Sequence, residues 1–117
     1  MLTVTTLSRT LPRQVEWRPP VCIAPDGSRC DGPLPIDSLH LDPTGTRLYG
    51  VFICGGWLTV TEDGNHVTVT YLAPVVPPGA RQCAAPTLGA HLDRPLGRRQ
   101  VLDATTHRAI EIVRSRA

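Results

Sequence analysis

The residues best able to do chemistry in this 117-residue chain are four cysteines and four histidines, and their spacing separates a metal site from a reactive thiol and from disulfides. Seven residues lie between Cys22 and Cys30 and twenty-eight between Cys54 and Cys83, without the close C-x2-C pairs that structural zinc sites use. His40, His66, His91 and His107 are dispersed, so no two share a strand or helix spacing that would bring two imidazoles to one metal. A zinc site drawn from Cys54, Cys83 and His91 has no motif behind it, and the expectation is no metal and no cofactor. A catalytic cysteine needs an activating base or cation beside it, and only His91 or Arg81 offers one, by accident of folding. The remaining chemistry is oxidation to two disulfides. Closing the Cys22–Cys30 loop contributes roughly 2.6 kcal/mol and closing Cys54–Cys83 roughly 3.6 kcal/mol in the chain-entropy picture. Four cysteines allow three pairings; the turn at Pro25-Asp26-Gly27-Ser28 and the strand position of Cys54 favour the sequential one.

Asp103 and His107 flank the last loop and can form an acid/base pair, although residues of these types at this spacing more commonly shape a turn. The chain has no G-x-S-x-G, no G-x-x-x-x-G-K-[ST] and no G-x-G-x-x-G, so neither a nucleophile elbow nor a phosphate loop is written in it. The expectation is a non-enzymatic protein.

All 12 basic residues are arginine and the net charge is +2, too small to argue for specific nucleic-acid binding. The charge is uneven: residues 1–93 carry six arginines against eight acids, whereas residues 94–117 carry six against Asp103 and Glu111 alone. Arg98, Arg99, Arg108, Arg114 and Arg116, with Trp57, are therefore the candidate partner-binding residues, for a protein partner or an anionic envelope polymer. The unfunctional reading of the same arginines is an edge strand guarded by charge.

The elements that would position these residues are short strands. With 41% hydrophobic residues, 12 prolines and 10 glycines, the chain has enough apolar content for one core and many turns, which predicts a single β domain over 1–117. Leu2–Leu7 and Gln14–Arg18 alternate apolar and polar residues as strands do. Residues 19–37 hold five prolines and read as a loop. Ser38–Leu41 is a short strand, Asp42-Pro43-Thr44-Gly45 a turn, and the apolar run 48–54 a central strand. In WLTVTEDGNHVTVTYL, Asp63-Gly64 predicts a two-residue hairpin loop, placing Val60 opposite Val67, Leu58 opposite Val69 and Thr59 opposite Thr68. A short strand at Leu88–Leu92 and a basic hairpin with strands near 100–103 and 109–113 complete the chain. No segment has helical periodicity over three turns. Seven or so short strands predict an antiparallel β-sandwich, Ig-like or related, with a small barrel as the alternative.

Pro95, Leu96, Gly97, Arg99, Val101 and Asp103 spell PLGxRxVxD after Cys83, and this tail resembles that of small secreted proteins and lipoproteins of actinobacterial type. The resemblance covers about a third of the chain and implies a turn plus a hairpin, a fold marker without an activity. A second resemblance, to secreted subtilisin inhibitors, rests on length and two sequential disulfides. It implies a specificity residue near Gly56 or Trp57, although prolines stand where that family has a helix. Disulfides imply an oxidising compartment, and the first thirty residues contain neither an apolar signal core nor a spanning helix. These readings together predict an extracellular or envelope-associated binding or structural module. A protease inhibitor and a cytoplasmic or virion-type assembly protein are the alternatives.

Overall fold

The computed structural model describes residues 21–76 and 83–114. The strands expected at 2–7 and 14–18, and Arg116, lie outside them. Eight strands are present, and helices are absent among the described residues: β1 Cys30–Leu34, β2 Ser38–Leu41, β3 Arg47–Val51, β4 Trp57–Glu62, β5 His66–Pro74, β6 Thr87–His91, β7 Gln100–Asp103 and β8 Glu111–Arg114. One sheet is built on the long β5, with β4 along one side and β1 and β7 paired to its opposite halves. The other runs β6-β3-β2-β8. The sheets do not close into a barrel. They share one core, in which Leu39, Leu41 and Leu48 of the second sheet meet Val67, Val69, Tyr71, Ala73 and Val101 of the first. Ile36, Leu92, Leu96 and Ile110 seal it from the connections.

The alternation of β5 explains its role as the central strand. Val67, Val69, Tyr71 and Ala73 are buried, and the intervening Thr68, Thr70 and Leu72 are only half-buried on the other face. The β4–β5 hairpin has the predicted faces but a register two residues away from the predicted one: Val60 pairs with Val69, Leu58 with Tyr71 and Thr61 with Thr68. The loop is Gly64-Asn65, not Asp63-Gly64. Asp63 Oδ1 accepts the backbone N–H groups of Asn65 and His66 at 2.7 Å each, so the aspartate shapes the turn from its first position. An even shift preserves sidedness, which is why the threonine ladder survives the error.

Three further expectations are corrected. The loop expected over 19–37 contains β1, which tolerates Pro33 because it is an edge strand and carries a register shift between Cys30 and Gly32. The apolar run 48–54 does give an interior strand, but β3 ends at Val51, and Val51 and Ile53 are exposed. The basic hairpin over 100–113 does not form. Instead β7 joins β5 and β8 joins β2, both in parallel, so consecutive strands enter different sheets. A single antiparallel bridge, Leu102–Ala109, joins β7 to the residues before β8, with bonds from Ile110 N–H to the Val101 carbonyl and from Asp103 N–H to the Arg108 carbonyl.

Candidate functional site

The two ends of the sandwich differ in chemistry. At one end the β4–β5 hairpin tip, the turn at 42–46 and the loop at 92–99 are tied together by polar bonds. Leu96 N–H donates to the Gly45 carbonyl, Leu92 N–H to Thr46, and Gln100 N–H to Asn65. Glu62 reaches across to accept the Asp93 N–H at 2.7 Å and holds the Arg99 guanidinium at 3.0 Å. Arg99 places all five of its donors. Besides Glu62 they meet the carbonyls of Asp63, Arg94, Pro95 and Leu96. Its side chain is 6% exposed and that of Glu62 12%. The Asp93 N–H and then Arg99 hold the Glu62 carboxyl below its usual value, against the opposing effect of burial. Asp63 is lowered by the Asn65 and His66 N–H groups, and Asp42 first by the Thr44 hydroxyl.

The residues of the PLGxRxVxD segment therefore have structural work. Leu96 and Val101 are core residues. Gly97 takes a φ of 59°, a left-handed conformation that opens the turn closed by Arg99 N–H to the Leu96 carbonyl. Asp103 is 1% exposed, and its carboxylate accepts Ile36 N–H at 3.1 Å, Thr105 N–H at 3.0 Å and the Thr106 hydroxyl at 3.1 Å. It anchors β7 to the β1–β2 connection. His107 donates its backbone N–H to the Asp103 carbonyl and is itself exposed with φ 62°, so the pair shapes the turn and the two side chains do not meet.

The candidate arginines consequently separate. Arg99 is internal. Arg98 lines an open notch with Arg94, Gly97 and Asn65, and the Arg114 guanidinium donates to the Gly97 carbonyl at 3.2 Å on the same flank. Arg108 lines a different cavity, with Asp37 and Asp103, beyond the far end of β7. Among the described residues no group of three histidines, cysteines or acids is placed to hold a metal, and no helix is long and apolar enough to cross a membrane. His40 stacks on Tyr49, with Arg47 over the same ring, on the outer face of the second sheet.

The opposite end carries both disulfides, Cys22–Cys30 and Cys54–Cys83, in the sequential pairing. That pairing is the one the sequence favours, whereas the exposed apolar residues around it are not legible in the sequence. Val21 and Ile23 flank the first bridge, Val51 and Ile53 leave β3 toward the second, and Val75 and Val76 follow β5; these six are between 41% and 75% exposed. Pairing of Cys30 with Pro74 sets the first and third pairs side by side. The Ile53 segment joins them through Gly56, where an added Cβ would lie 2.5 Å from the Leu72 carbonyl oxygen and 3.2 Å from Pro74. The Tyr71 hydroxyl donates to the Gly55 carbonyl at 2.7 Å, and burial raises the tyrosine pKa. Cys54 N–H donates to the Ala84 carbonyl. Gly55 and Gly56 thus bind this segment into the fold, leaving Ile53 at the surface and Trp57 half-buried opposite Leu72. Each apolar residue is unremarkable alone; the signal lies in the approach to β1 and the exits of β3 and β5 lying at one end of the sandwich, which pairing decides and periodicity does not show.

The chain matches no protein family, no curated protein and no solved structure.

Proposed function

We propose that this protein is a non-enzymatic binding or structural module of an extracellular or envelope setting, and that its disulfide end docks a protein partner. The observation that carries the reading is the gathering of Val21, Ile23, Val51, Ile53, Val75 and Val76 at that end. Exposed apolar side chains grouped in this way mark contact surfaces. The charges there, Asp26 and Asp31 against Arg29, favour an apolar protein surface over a polyanion. The two cross-links fit an oxidising compartment and stiffen the loops that carry the valines, which lowers the ordering cost of docking.

The test is site-specific photo-crosslinking in the native cell, with the photoreactive residue at Ile53, at Val75, or at Thr61 on the threonine face. Adducts from Ile53 and Val75 but not from Thr61 support the reading; equal yields from all three sink it. Alkylation and mass spectrometry of protein from its native compartment tests the setting. Four modified thiols would place the chain in a reducing compartment and favour an assembly role there.

A further inference from the structure

The notch at the polar end is about 340 Å³ in volume and lies between the Gly64-Asn65 hairpin tip and the loop from Arg94 to Arg99. We propose that it is a binding site for a single phosphate or sulfate group, held by Arg94, Arg98 and Arg114 around the Gly97 turn. This goes beyond the docking role, which belongs to the opposite end. Arg94 and Arg98 are exposed, and neither guanidinium makes a hydrogen bond or ion pair among the described residues. Arg114 uses one Nη2 bond to the Gly97 carbonyl, and its other donors have no acceptor among the described residues. The N–H groups of Gly97 and Arg98 also have no acceptor among the described residues. Consecutive amides at a left-handed turn and guanidinium forks are the two donor types that match a tetrahedral oxyanion.

The acids nearby do not cancel these cations. Glu62 lies outside the notch lining and is paired with Arg99, whose donors are all occupied; Arg94 also attracts Glu62 but makes no bond to it. Asp63 turns Oδ1 to the Asn65 and His66 amides. Asp93 is exposed, and with Asp63 it leaves Arg94, Arg98 and Arg114 in excess by one. A dianion would therefore meet a site of small positive charge whose selectivity rests on donor geometry, and whose affinity weakens with salt.

The experiment is an amide correlation spectrum of the full, disulfide-intact chain, titrated with inorganic phosphate at constant ionic strength, with chloride as the control. Saturable shifts of the Gly97, Arg98 and Asn65 amides are expected. Arg94→Ala/Arg98→Ala weakens binding by about ten-fold or more while the spectrum stays dispersed, and Arg108→Ala leaves it unchanged. Polyphosphate identifies the source of the group: tighter binding per phosphate than the free ion indicates a polymer, and equal binding indicates a free small molecule. Shifts that do not saturate, that chloride reproduces, or that persist in the double variant would overturn the proposal.

Discussion

Replacing Arg99 by alanine is the most informative single perturbation of the fold, because it removes five donors from one buried point. The carbonyls of Asp63, Arg94 and Pro95 lie at exposed positions and can regain water, so their loss is small. Glu62, at 12% side-chain exposure, cannot regain it so readily and is left with the Asp93 N–H alone. Breaking a buried pair from one side costs about 3–5 kcal/mol. The residual exposure of Glu62 argues for the lower part, about 3 kcal/mol, or roughly 12 °C in Tm for a domain of this size. Arg99→Lys should recover little, since an ammonium has three donors and no fork.

Urea and thermal denaturation under non-reducing conditions measure this directly, with Arg98→Ala as the exposed control, expected within about 0.5 kcal/mol of the parent. The pH dependence supplies the sign. Glu62 has a folded pKa below its usual 4.5, so its contribution is full above that value and is lost as pH falls through the lower folded value. The Arg99→Ala difference should therefore shrink under acid. An Arg99→Ala protein as stable as Arg98→Ala at neutral pH would refute the clamp.

Gly56→Ala should destabilise by about 2–3 kcal/mol, because the new Cβ meets the Leu72 carbonyl oxygen at 2.5 Å from a backbone with φ 121°; chemical denaturation reads it, and a neutral effect would show that the segment is not seated against β5. Asp103→Asn turns one of two acceptor oxygens into a donor facing Ile36 N–H, Thr105 N–H or the Thr106 hydroxyl, with an expected loss of about 1–3 kcal/mol measured by the same method. Cys22→Ala/Cys30→Ala should cost roughly 2.6 kcal/mol, and Cys54→Ala/Cys83→Ala about 1 kcal/mol more, compared by urea midpoints at a common m-value.

The sequence made the class of the fold legible through local rules: prolines and glycines at the turns, period-two alternation in β5 and β6, and an even cysteine count. It did not reveal pairings fixed at long range. Val101 alternates correctly for a strand, yet nothing local says that Val101 aligns in parallel with Val67 and not with a neighbour in a hairpin. The hairpin error has the same origin, since Asp63-Gly64 is a strong turn signal and the side-chain bonds that move the loop by one residue appear only in three dimensions. For the sites, charge counting found the arginines but could not see that Arg99 turns inward while Arg98, its neighbour, stays out. The apolar end was invisible for a different reason, because Val21, Ile53 and Val75 are far apart in the chain.

The two parallel closures set the timing of folding. Ser38 must wait for Glu111, and His66 for Gln100, before either sheet has its full complement of strands. In a chain emerging N-terminus first, β7 and β8 follow every other strand, so β2–β3 and β4–β5 are incomplete ribbons with an open core until residues 100–114 arrive. Loop closure over such separations is slow compared with hairpin formation. The Cys22–Cys30 bridge spans only local sequence and can form in that interval, ahead of the sheets. The Cys54–Cys83 bridge joins the exit of β3 to the approach to β6, and so can also precede the arrival of β7 and β8. The cross-links would then act as a brace on an unfinished sandwich.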